Sequence, residues 1–259
     1  MHKLMSGILA AVLLAAVPAV ALADAAGTTK GVNPSADAAL DGATRTLVVG
    51  SDIFIGDQVT TGPKGQVQIL FNDNTKLVVG PNSSLKMADY LVRNNGDPGK
   101  FVVDMLSGSF RFATGDAPKN KYEIDTPTGT IGVRGTGYDT HVFPDGGTLI
   151  LHYIGVVLFK ANGEKTWHEL HDACTLGQIT DTAKVLGNSK TMSQNVRDQL
   201  RGDFLYADNQ SPLLRPFWFP HALECLRVPP VVEVYTEPHD HALPRPVTPP
   251  PFGRGLFKP

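Results

Sequence analysis

Short alternating runs of apolar and polar residues dominate the chain between Thr46 and Lys160. "DIFIGD" sets Ile53 and Ile55 on one face, and "QVQILF" alternates Val67, Ile69 and Phe71 with Gln66 and Gln68. "SLKM" pairs Leu85 with Met87, and "SFRF" pairs Phe110 with Phe112. A period of two predicts half-buried strands with the apolar side inward. Turn chemistry separates them in "TGPKG", "FNDNT", "GPNSS", "RNNGDPG" and "FPDGG". "LVVG" occurs at Leu47–Gly50 and again at Leu77–Gly80, while "LSGSFRF" and "YIGVVLF" share an apolar–Gly–strand shape. These recurrences predict stacked β-turns of similar size. Residues 46–160 are therefore read as an all-β domain, either a short β-solenoid or a twisted sandwich.

After Lys160 the pattern changes. "TMSQNVRDQLRG" predicts one helix, with Thr191 and Gln194 as a capping box, an apolar stripe of Met192, Val196 and Leu200, and Gly202 as its end. The stripe is read as a docking face on the β core. Residues 161–228 form a smaller mixed segment around this helix. Nine of the residues from Pro229 to Pro259 are proline, which predicts an extended tail. Residues 24–45 are rich in small and polar residues and are read as a flexible leader.

The first 23 residues change the picture of where the protein works. A short basic start at His2 and Lys3 precedes an apolar run from Ile8, and Ala21-Leu22-Ala23 fits an A-x-A cleavage site. This predicts an exported chain starting at Asp24, with no membrane span after cleavage. The formal net charge is −2, so no global field favours nucleic acid. The only two cysteines, Cys174 and Cys225, are expected to pair as a disulfide in an oxidising compartment.

The densest stretch is "TPTGTIGVRGTGYDTHV", Thr126 to Val142. It matches neither G-x-x-x-x-G-K-[ST] nor G-x-G-x-x-G, and strand rather than helix follows it, which leaves no helix N-terminus for a phosphate. Glycines at 129, 132, 135 and 137 instead suit backbone that bends or packs closely. Arg134 is then expected to point into crowded structure and to pair with Asp125, Asp139 or Asp104.

These residues carry a family resemblance. "TPTGTIGVRGT" resembles the signature of the FecR domain, here Thr126, Pro127, Gly132, Val133, Arg134, Gly135 and Thr136. Upstream, "VGSDIFIGDQVTTGPKGQVQILFNDNTKLVVGPNSSL" is similar to that domain's G-D-x-V-x-T-G and strand–turn–strand progression. The likeness runs from Leu47 to about Lys160. It implies an all-β extracytoplasmic domain, which in the namesake regulators follows a cytoplasmic sigma-factor-binding segment and a membrane helix. There it receives signals from an outer-membrane iron transporter. The predicted signal peptide stands where those regulators carry their cytoplasmic segment, and Gly137-Tyr138 stands where the family often has an acidic residue.

Other constellations are weaker. "WHELHDAC" spaces His168, His171 and Cys174 by threes, and His239 and His241 add imidazoles, yet no standard zinc pattern results. There is no G-x-S-x-G. No catalytic residue, cofactor or metal is therefore expected. The sequence reading is a non-catalytic envelope module that binds a protein or a glycan, in sensing or as a scaffold. A hydrolase or metal-binding site within residues 161–228 is the competing reading.

Overall fold

The computed structural model describes residues 25–91 and 99–227. The expected signal peptide and proline-rich tail lie outside them. The strands are β1 (Gly27–Asn33), β2 (Ala36–Leu40), β3 (Ala43–Thr46), β4 (Asp52–Ile53), β5 (Gln58–Thr61), β6 (Gln66–Phe71), β7 (Lys76–Val79) and β8 (Ser84–Asp89). They continue with β9 (Phe101–Ala113), β10 (Tyr122–Thr126), β11 (Gly129–Val142), β12 (Thr148–Ala161), β13 (His168–Leu170), β14 (Thr175–Ile179) and β15 (Ala183–Asn188). Three helices follow, α1 (Gln194–Asp203), α2 (Leu205–Asp208) and α3 (Ala222–Leu226). The fold is all-β with a helical C-terminal part.

All fifteen strands belong to one open hydrogen-bonded network. It folds into two layers because the long strands change partners midway. The first half of β9 lies between β8 and β10, and its second half between β7 and β11. β11 pairs first with β10 and then, from Gly137 onward, with β9. β12 pairs with β14 near its start and with β13 near its end. The bends fall at Gly108, Gly135 and Gly155, whose φ values are 97°, 69° and 79°. Strands that switch layers through such bends make the corners of a packed sandwich. At Gly155 the requirement is double: φ is left-handed, and an added Cβ would lie 2.1 Å from the Gly135 carbonyl oxygen. Gly155→Ala is expected to cost roughly 1–3 kcal/mol in urea unfolding; an unchanged midpoint would contradict this reading of the corner.

Alternation supplies the core between the layers. Phe110 and Phe112 from the second half of β9 meet Phe101 from its first half, together with Ile69, Leu77, Met87, Ile124 and Phe159. Phe101 packs edge-on against Phe71, ring centroids 4.9 Å apart, and lies 5.8 Å from Phe112. Such contacts seat the two layers on each other.

The outer face of the second layer is covered by the C-terminal part. Val78 packs with Tyr206, Leu213 and Phe217, while Leu149, Leu151 and Tyr153 pack with Leu200, Phe204 and Leu226. Cys174 and Cys225 form the expected disulfide, joining the turn before β14 to α3.

Three expectations change. The segment read as a flexible leader contains β1, β2 and β3, and β1 pairs with β4 and β6. The two "LVVG" copies are not equivalent: Leu77–Val79 is strand, whereas Val48 and Val49 sit exposed in a turn. Local composition read both incorrectly because strand partners distant in sequence decide. Helix α1 starts after Ser193 instead of using Thr191 as its cap, and Gly202 lies inside it. The buried α1 side chains are Arg197 and Leu200, with Val196 exposed. Residues 161–227 also belong to the same compact unit as the β core.

Candidate functional site

The signature segment is a hairpin followed by a corner. Pro127 and Thr128 form the two-residue turn between β10 and β11, closed by the Thr126 hydroxyl donating to the Gly129 carbonyl at 3.0 Å. Ile131 and Val133 then point into the core, so Thr130, Gly132 and Arg134 take the opposite side. Beyond Gly135 the chain crosses to the second layer. There an added Cβ on Gly137 would lie 2.6 Å from the Phe219 ring.

Arg134 is therefore exposed, and it has no ion-pair or hydrogen-bond partner among the described residues. The expectation that it is buried and paired is overturned. The physical reason is strand parity: Val133 occupies the core position, and nothing covers the outer face of the first layer at Arg134. None of the three candidate partners, Asp125, Asp139 and Asp104, pairs with it. Asp125 accepts a hydrogen bond from the Thr130 hydroxyl at 2.8 Å. Burial, with the charges of Glu123 and Asp104, raises its carboxyl above the usual range, while the Thr130 bond opposes this. Asp139 lies past the corner and serves a different arginine.

That arginine is Arg111. Phe110 and Phe112 face the core, which sends Arg111 to the outer face of the second layer, under the C-terminal cover. Arg111 and Asp139 are each 2% exposed. Their contact is a fork, Nε to Oδ1 at 2.7 Å and Nη2 to Oδ2 at 2.9 Å. Nη1 donates to the Gln210 side-chain oxygen, and the Tyr153 hydroxyl donates to Asp139 at 2.6 Å. The guanidinium also lies 4.9 Å from the Phe219 ring centroid. Burial opposes its charge, but Asp139 outweighs that and holds its pKa above the ordinary value. Burial, reinforced by Asp139, likewise pushes the Tyr153 hydroxyl far up. This satisfied network fastens the cover to the sheet; it offers no open position for chemistry.

On the opposite side of the molecule, Arg134 lines a groove of about 660 Å³ across β10, β11 and β12. Lys119 and Asn120 stand at its rim, Glu123, Thr130 and Gly132 come from the strands, and Leu158, Lys160 and Trp167 complete it. The Lys160 ammonium sits 4.9 Å from the Trp167 ring centroid, and that indole is 41% exposed. Glu123 is paired with Lys100 at 2.7 Å, and Lys119 donates to the Gly115 carbonyl. Gly132 differs from its neighbours in the signature. A Cβ there would find nothing nearer than 3.7 Å, so the fold itself does not demand glycine.

Other polar constellations are structural. Cys174 is used in the disulfide, His171 forms an exposed pair with Glu169 at 2.9 Å, and His168 is 3.9 Å from Glu164. His239 and His241 lie outside the described residues. Ser109 and His141 touch at 2.8 Å, and His141 lies 3.9 Å from Asp203. The Ser109 hydroxyl, however, donates to the Asp203 carbonyl at 3.0 Å, which leaves His141 Nδ1 as the donor to serine rather than its base. Trp167, Lys160 and Arg111 were missed as site residues in the sequence.

Residues 57–156 match the family described as FecR protein. This segment is a FecR domain. Two solved structures of a candidate anti-sigma factor from Parabacteroides distasonis resemble the chain at 14% identity and TM-score 0.41. The likeness covers 56% of this chain and, in the first of them, 65% of that chain, just under two thirds of its length. A cell surface anchoring domain aligns at 35% identity over 28% of this chain and 99% of its own, with a TM-score of 0.25. No curated protein matches. The groove straddles the end of the FecR domain: Lys119 to Arg134 lie inside it, and Leu158, Lys160 and Trp167 just beyond. Arg134→Ala is expected to leave the melting temperature within about 2 °C of the parent; a loss well beyond that would show an unrecognised structural partner.

Proposed function

We propose that the chain is an exported, non-catalytic FecR-domain module that senses by binding at the bacterial cell envelope. The observation that carries this reading is an exposed Arg134, without a partner among the described residues, in a groove built by the domain's own signature strand. The disulfide supports export, since such bonds persist in oxidising compartments. Among the described residues, no helix is long and apolar enough to cross a membrane. Any influence on transcription then passes through another protein, and a direct grip on a sigma factor is not part of the reading.

The test combines location with output. Fractionation of cells should find the chain outside the cytoplasm, with both thiols blocked to labelling until reductant is added. Transcripts that change when the chain is deleted should also change in an Arg134→Ala strain with normal protein levels. A cytoplasmic chain with free thiols, or a transcript profile indifferent to both changes, would overturn the proposal.

A further inference from the structure

Resting on that reading, we infer that the groove binds a short acidic saccharide, with a carboxylate held by Arg134 and Lys160 and a sugar ring against Trp167. Four observations converge. First, Lys119, Arg134 and Lys160 line the groove with a single carboxylate, Glu123, which Lys100 already pairs. The side chain with charge to spare is Arg134, whose fork of donors matches a carboxylate. Second, the exposed indole of Trp167 and the side chain of Leu158 give an apolar surface beside the cations. Sugar C–H faces pack on such rings, and an anion beside the ring adds an ion pair to Lys160, whose ammonium otherwise lies over the indole.

Third, the backbones under the groove are already spent. β10 pairs with β11 and β9, and β11 pairs with β12, along the residues that line it. An extended peptide cannot add here as a further strand, because no row of main-chain donors and acceptors is open. Recognition must run through side chains, and the available ones, Asn120, Thr130, Glu123 and the cations, suit hydroxyls and carboxylates. Strands spaced about 4.8 Å apart make this three-strand span roughly 10 Å wide, the scale of two or three sugar rings. Fourth, Gly132 keeps the floor of the groove open where the fold would accept a side chain. Acidic residues also share this outer face: Asp125 and Asp104 lie on the neighbouring strands. They place the anion toward Arg134 and Lys160 rather than toward β9.

Isothermal titration of the mature chain with trigalacturonate tests this, with its methyl ester and a tetraglutamate peptide as the other arms. Saturable binding of the acid is expected, at least roughly tenfold weaker for the ester, the size of one charge-assisted hydrogen bond. Raising salt should weaken it further. Arg134→Ala and Trp167→Ala should each lose at least tenfold with melting temperatures kept. Gly132→Val should lose binding through occlusion, and Arg134→Ala keeps the test valid if that variant misfolds. Equal binding of the ester, binding of tetraglutamate as tight as the acid, no binding of the acid, or binding untouched by Arg134→Ala would each overturn the inference. Such a result combined with an altered transcript profile in the Arg134→Ala strain would leave the sensing role standing with a different ligand.

Discussion

Asp139→Ala is expected to destabilise the protein by about 3–5 kcal/mol, the largest effect of any single substitution considered. The change strands Arg111, which is 2% exposed and forked onto Asp139 through two hydrogen bonds. It also removes the acceptor of the Tyr153 hydroxyl. Most of the cost is a buried cation left without its counter-charge, rather than the net worth of the pair. Replacing both partners with apolar residues of similar size, Arg111→Met with Asp139→Leu, should therefore cost less than Asp139→Ala alone. Urea unfolding of the single and double variants checks this. A double variant as damaged as the sum of its singles would show that the charges themselves are the stabilising feature.

The second large effect concerns the disulfide. Cys174 and Cys225 are 51 positions apart, so closing the loop removes denatured-state freedom worth about 4 kcal/mol on the chain-entropy model. Its place in the fold adds a structural consequence. The bond ties α3 to the turn before β14, and α3 contributes Ala222, Cys225 and Leu226 to the cover of the second layer. The Cys174→Ala, Cys225→Ala double variant should unfold at lower urea and bind more of a hydrophobic dye before the main transition. A midpoint equal to the parent's would mean that packing alone holds the cover in place.

Much of the fold was legible because strand alternation is local. Val67, Ile69, Phe71, Phe110 and Phe112 all face the core as their spacing predicts. The opposite faces were not legible. Gln66, Gln68 and Arg111 look like solvent-facing residues of half-buried strands, yet all three are buried. What covers them comes from more than a hundred residues later for the glutamines: Gln68 accepts from the Leu214 amide, and Gln66 from the Tyr206 hydroxyl. No pattern within "QVQILF" or "SFRF" encodes that cover. Arg134 failed in the reverse sense. Glycine density around it suggested crowding, but the crowding belongs to Gly129 and Gly137, Gly135 is needed for its positive φ, and the residue between Val133 and Gly135 faces out by parity. The motif was readable; which face of the strand it served was not. Trp167 was hidden because it precedes the three-residue strand β13, too short to show a period.

The central claim is that the outward groove beside Arg134 is where the protein meets its ligand. A photo-reactive benzoylphenylalanine placed at Asn120, at the rim of the groove in the full chain, irradiated in intact cells, tests this most directly. The same probe at Val185, also exposed but away from the groove, is the comparison. The account predicts a mass-shifted product from position 120 that is absent from position 185 and is lost when Arg134→Ala is added. A product at position 185 with none at position 120 would contradict it.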